Sequence, residues 1–314
     1  MIIETVQRAY RNVVANWPLI LISVAEQVAM VGLIVVGALL AVVPFIMTGA
    51  LSELSELSGN PARMAIGFFL QNPLTIIGVI VALTIVLTAV TALHSFVRAG
   101  TVGIYIDSAL TAPAGSSVRD ALSLFSTETF ISYGKRFWWP VFLIFNVIWG
   151  IFSIILLAPL AAAVLLFTRL SEDPQAVAWG CLLLVLFFLI LLVVGIAATM
   201  WTDVAVALTV RRNLGVRDSL QTAFNLMMRR FMDLLMVIGV LIVISIGVWI
   251  VFATIFGVIG VVSMLPIMAI LTLPIQIVLS LLQSIASVFL SCWFLAAVVA
   301  IVIDDEGARS IVRA

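Results

Sequence analysis

Four side chains stand out for the chemistry they can do, because each is ionisable or basic and lies inside a long apolar stretch: Glu26, His94, Arg98 and Asp203. In hydrocarbon an uncompensated charge costs about 2.5 to 3.5 kcal/mol on insertion scales, so each needs a partner or a wet path. Arg98 is the natural partner for the two carboxylates. Glu26 lies nine residues beyond Trp17, Asp203 eight before Arg211, and Arg98 nine before Asp107. At the helical rise per residue this puts all three roughly 12 to 14 Å from one end of their segments. Equal depth permits contact, and either a buried structural ion pair or a functional site satisfies the pattern. His94 is one turn from Arg98 on the same helix face, where a cavity would let it titrate near neutral pH.

That face continues as a polar stripe through Thr84, Thr88, Thr91, Ser95, Arg98 and Thr101, and a second stripe runs through Gln276, Ser280, Gln283, Ser284, Ser287 and Ser291. Small hydroxyl residues at three- and four-residue spacing either line a path or let helices pack closely and bond back to their own backbone. Catalytic patterns are lacking. With His94 the single histidine, the sequence has no His-Glu-x-x-His zinc motif, no Gly-x-Ser-x-Gly elbow and no Walker glycine loop. Glu26 with Asp203 would make a carboxylate pair, but carboxylates opposite an arginine more often form a salt bridge. Cys181 and Cys292 sit in apolar runs without Cys-x-x-Cys spacing and read as small core residues. The expectation is a non-enzymatic protein with no cofactor and no metal.

The elements that position these residues follow from composition. Hydrophobic residues make up 64% and charged residues 10%, with a mean hydropathy of +1.33, far from soluble averages. Six apolar runs exceed the ~20 residues a spanning helix needs: Trp17 to Met47, Pro73 to Leu110, Trp138 to Phe167, Ala176 to Val210, Leu234 to Val262, and Leu271 to Ile303. The 15 basic and 15 acidic residues cancel, so no global field favours nucleic acid. Their distribution is lopsided. Arg8, Arg11, Arg119, Lys135, Arg136, Arg211, Arg212, Arg217, Arg229 and Arg230 all fall on one side of the alternating spans, whereas the other side carries Arg63 and Arg169 among acidic residues. Retention of basic residues in the cytoplasm makes both termini cytoplasmic.

A cycle of one short polar segment and two long spans occurs three times, over residues 1–112, 113–213 and 214–314. The segments start at Glu4-Thr5-Val6, Asp120-Ala121-Leu122 and Asp218-Ser219-Leu220. Ile3, Val6, Tyr10, Val13 and Trp17 form a helical apolar stripe in the first; Val216, Leu220, Ala223, Phe224, Met227 and Phe231 form one in the third; Val118, Leu122 and Phe125 make a weaker one in the second. Such helices lie in the membrane interface with basic side chains reaching anionic headgroups. They either close the cytoplasmic end of the bundle or recognise lipid or a partner. Trp201-Thr202-Asp203 aligns with Trp293-Phe294-Leu295, so Asp203 stands where its sister segment has leucine, and Glu26 likewise stands opposite Val240. The repeat does not demand either charge.

The order of short helix and hairpin, the Asp218-Ser219-Leu220…Phe224 start, and the basic-aromatic entries Arg229-Arg230-Phe231 and Lys135-Arg136-Phe137 resemble the membrane domain of glycerophosphoryl diester phosphodiesterases and the related YciC-like bacterial membrane proteins. The resemblance implies a bacterial cytoplasmic (inner) membrane location. In the phosphodiesterases a soluble catalytic barrel follows the membrane domain; this sequence ends at Ala314, so that activity is not expected of it. The reading is therefore a single all-α membrane domain of six spans in three pseudo-repeats. Its leading function is to organise membrane lipids, anionic ones among them, or a protein partner or second copy of itself, through its cytoplasmic helices. A small-solute or proton-coupled carrier using Glu26, His94, Arg98 and Asp203 is the alternative, against which three repeats, not two inverted halves, argue mildly.

Overall fold

A computed structural model describes residues 2–47, 73–111, 125–170, 174–264 and 266–313. Among these the chain forms eight helices: α1 (Ile2–Ala15), α2 (Pro18–Met47), α3 (Pro73–Thr111), α4 (Thr127–Leu170), α5 (Pro174–Arg212), α6 (Val216–Arg229), α7 (Phe231–Val262) and α8 (Pro266–Arg313). Six of them, α2 to α5 with α7 and α8, are long and apolar enough to cross a bilayer, with mean hydropathies of 2.2 to 3.0 over their richest windows. The protein is an all-α polytopic membrane protein.

The short helices end where local chemistry breaks the backbone ladder. Pro18 opens α2 and supplies no N–H, so α1 closes just before it. Between α5 and α6, Asn213 takes the left-handed conformation (φ 52°), a role asparagine tolerates better than most residues, and the extended Gly215 then caps α6. Arg230 makes the kink from α6 into α7. No such break separates a second short helix. α4 begins at Thr127 and continues unbroken through Lys135, Arg136 and the apolar run expected from Trp138. The second expected start, Asp120 to Leu124, and with it Arg119, lies outside the described residues.

Two compact units divide the chain, cutting across the long helices instead of between the three sequence cycles. The first comprises Met1–Glu26, Phe96–Ile144 and Met200–Ala314, and the second Gln27–Ser95 and Phe145–Thr199. The second unit is thinly packed: Ala82, Val86 and Leu191 are buried, while Ile34, Leu39, Leu87 and Phe188 are more than half exposed, the surface that lipid tails cover in a bilayer. The first unit holds the core, with Val13, Leu19, Tyr105, Ile144, Leu208 and Leu295 fully buried.

The apolar stripe of α1 does not stay together. Val6 and Val13 are buried, but Ile3, Tyr10 and Trp17 face outward. Hydrogen bonds turn the helix: the Asn12 amide donates to the Tyr105 carbonyl at 3.1 Å, and the Asn16 amide donates to Ser108 Oγ and Asn12 Oδ1, both at 2.9 Å. Two buried asparagines that must be satisfied thus override the hydrophobic stripe, because each unpaired amide would cost more than a partly exposed ring. On α6 the same division puts Ala223, Leu226 and Met227 inward and leaves Phe224 exposed.

Close approach of α3 and α4 depends on glycine. Phe130 lies over Gly100, Tyr133 over Gly103 and Phe96 over Gly134, and a Cβ added at Gly100 or Gly134 would stand only 2.6 or 2.7 Å from a ring carbon. At Gly103 it would stand closer still. Since a ring cannot yield as a flexible chain end does, Gly103→Ala should cost about 1 to 3 kcal/mol by overpacking, read as a lower unfolding temperature in detergent; Gly150→Ala, where nothing lies within 4 Å, should not lower it and gains up to about 1 kcal/mol of helix propensity.

Candidate functional site

Of the four intramembrane residues, the first unit brings three together. Arg98 on α3 and Asp203 on α5 form a direct ion pair, Nη2 to Oδ1 at 2.5 Å, with 13% and 3% of their side chains exposed. Glu26 on α2 is buried within electrostatic reach of the same guanidinium. His94 belongs to the second unit, where its ring stands edge-on to Phe145 at 4.8 Å.

The cluster is wider than the charges alone suggest. The Cys292 thiol lies 3.8 Å from Ser23 Oγ, within range of Glu26 and Arg98, and the fully buried Tyr105 lies against that thiol. Thr101 completes one face of α3 with Arg98 and Tyr105. Arg98 Nε, Thr101 Oγ1 and Asp203 Oδ2 are buried without a hydrogen-bond partner among the described residues. Tyr105 was legible in principle, since 98, 101 and 105 continue the three-and-four spacing of the stripe. Cys292 was not, because an isolated cysteine in an apolar run carries no signal. The arrangement can hold charge in low dielectric. Among the described residues, no group of three or more potential metal ligands occurs.

Register around this cluster is set by aromatic contacts that recur. The Trp201 indole donates to the Leu220 carbonyl at 3.0 Å with Phe224 edge-on at 6.0 Å. The Trp293 indole donates to the Val6 carbonyl at 2.9 Å with Tyr10 edge-on at 5.2 Å. The two tryptophans are aligned in sequence, and so are Leu220 with Val6 and Phe224 with Tyr10. Phe96 stands eleven residues before Asp107 as Trp293 stands eleven before Asp304, and it meets Phe130 edge-on at 6.2 Å. In this register Arg98, Asp203 and Leu295 occupy one position, two residues after the aromatic, and the first two touch.

The stripes divide between hydroxyls bonded to their own helices and a pocket edge, since Ser287 and Ser291 line a pocket with Ser245, Trp249 and Phe294. Thr84, Thr88, Thr91 and Ser95 donate to carbonyls four residues back at 2.7 to 2.8 Å, and Ser280 and Ser284 do the same at 2.8 and 3.0 Å. Each hydroxyl is satisfied within its own helix.

The basic residues divide into two groups. Arg8 pairs with Asp304 at 3.1 Å, and Arg230 pairs with Asp233 at 3.1 Å and Asp305 at 3.6 Å. Arg136 reaches Asn213 Oδ1 at 3.4 Å and lies 5.0 Å over the Phe137 ring, yet stays exposed, as do Arg11, Lys135, Arg211, Arg217 and Arg229; Arg212 is half-buried. The acidic pair Asp304-Asp305 at the end of the last span is the signal the sequence offered for the first group.

Comparison of the chain with known protein families, with curated proteins and with solved structures finds no match.

Removing one member of a buried pair leaves the other charge uncompensated, so Asp203→Asn should destabilise by about 3 to 5 kcal/mol, whereas replacing both partners, Arg98→Met with Asp203→Leu, should recover most of that loss. Unfolding temperatures of the two variants in the same detergent check this; equal losses would show that the pair matters beyond compensating charge.

Proposed function

We propose that this is a non-enzymatic protein of a bacterial cytoplasmic membrane that organises lipid at its cytoplasmic face, with both termini on that side. The observation that carries the reading is the exposed basic set Arg11, Lys135, Arg136, Arg217 and Arg229 at one end of the first unit, in the same segments as exposed Trp17, Trp138, Trp139, Phe224 and Phe231. Basic and amphipathic aromatic side chains together suit the headgroup layer, where the rings sit between tail and water. The recurring aromatic contacts support three pseudo-repeats closed in a ring, each short helix or helix start clamped by the long helix before it. The resemblance to YciC-like membrane domains agrees with that order of elements.

A carrier reading keeps one specific support, the three partnerless polar atoms around Arg98 and Asp203. Against it stand the hydroxyls of Thr84, Thr88, Thr91, Ser95, Ser280 and Ser284, which bond back to their own helices. A carrier predicts a pH-sensitive flux through proteoliposomes that Glu26→Gln alters; under the organiser reading the vesicles stay silent.

The organiser reading is tested by the five-site variant with Arg11, Lys135, Arg136, Arg217 and Arg229 changed to Gln. Each basic residue near an anionic surface contributes on the order of 1 kcal/mol, and partial screening still leaves about a tenfold fall in retained phosphatidylglycerol, measured by native mass spectrometry from nanodiscs, with helicity unchanged. Undiminished retention would refute it.

A further inference from the structure

Between α1, α7 and α8, at the end of the first unit where α7 starts and the span of α8 finishes, lies a pocket of about 330 Å³. Its polar walls are Thr5, Arg230, Asp233 and Asp304, and its floor is Val237 and Ile301. Arg8 borders it through the bond to Asp304 Oδ1, and Asp305 through Arg230 Nε. None of these residues belongs to the exposed basic set.

We propose that this pocket holds the headgroup of one phosphatidylethanolamine molecule. The depth selects a lipid: charged walls stand directly above apolar Val237 and Ile301, at the ends of helices that continue as bilayer spans, which matches the step from phosphate to acyl chain. The charges select the headgroup. Two arginines and three aspartates give this corner a net charge of −1 by count of Arg8, Arg230, Asp233, Asp304 and Asp305, so an anionic headgroup is repelled from it although the exposed basic set attracts one. A zwitterion fits both signs. The Arg230 guanidinium offers donors to the phosphate, and Asp233 and Asp304 accept from the ammonium. Each of these carboxylates is held by arginine through one oxygen, Oδ2 of Asp233 and Oδ1 of Asp304, leaving the other oxygen outside the ion pair. A primary ammonium has three N–H donors to give them. The trimethylammonium of phosphatidylcholine has none, and among the described residues no aromatic ring lines the pocket to receive it by cation–π contact.

The test is native mass spectrometry of the full chain released from nanodiscs containing equal phosphatidylethanolamine, phosphatidylcholine and phosphatidylglycerol. One retained phosphatidylethanolamine per chain is expected, preferred over phosphatidylcholine by about tenfold, the size of one charge-assisted hydrogen bond. Asp233→Asn with Asp304→Asn should abolish that preference without lowering phosphatidylglycerol retention, since the corner then changes from net −1 to net +1. The five-site basic variant should do the reverse, so the two proposals fail separately. Should the aspartate variant not fold, stepwise N-methylation of the headgroup supplies the same reading on the wild-type protein, with retention falling at each methyl. Equal retention of ethanolamine and choline lipids by the wild type, or an unchanged preference in a folded aspartate variant, overturns the proposal.

Discussion

The contact between Arg98 and Asp203 ties together two long helices that are 105 residues apart in sequence, and the arrangement of the first unit depends on it. In a bilayer hydrophobic burial does not hold helices to one another, since lipid tails are as apolar as leucine, so association rests on close packing and on polar bonds across the interface. Here the polar bond is an ion pair with almost no solvent exposure. Its benefit is specificity more than net stability, because the desolvation cost of two charges offsets much of their attraction.

Around that pair the fold uses three further devices, each suited to helices that must pack without water. Glycines at 100, 103 and 134 receive aromatic rings so that α3 and α4 approach closely. Buried asparagines on α1 reach the end of α3. Indole N–H groups fasten the short helices by bonding to their carbonyls, as Trp201 does to Leu220 and Trp293 to Val6. The basic end then remains largely outside this framework, which leaves it available to the headgroup layer.

Much of this was legible in the sequence. The six long helices follow from apolar length alone, and the meeting of Glu26, Arg98 and Asp203 was anticipated from depth, because helical rise is nearly constant. His94, one turn before Arg98 on the same helix, stands with its ring against Phe145, a neighbour that depth and helix face do not identify. The helical stripe of α1 gave no hint of Asn12 and Asn16, since hydrophobic period says nothing about two asparagines that demand partners. The unbroken start of α4 was hidden because Lys135 and Arg136 resemble the break at Arg229 and Arg230, yet the helix runs through them and on through Pro140. The pairing of Arg8 and Arg230 with aspartates near the chain's other end could not be read, because it depends on which helix ends meet.

The Trp293 to Val6 bond has a consequence for how the chain is made. It joins residues 287 apart, and its donor lies on the last long helix. During synthesis α1 is therefore the first element to emerge, and it is fastened in two stages. The Asn12 and Asn16 amides find Tyr105 and Ser108 as soon as α3 is made, whereas the Val6 carbonyl waits for the indole of Trp293 on the last long helix. Sequence-distant closure of this kind is slow relative to local helix formation, and it makes completion of the last span the step at which the second fastening of α1 can form.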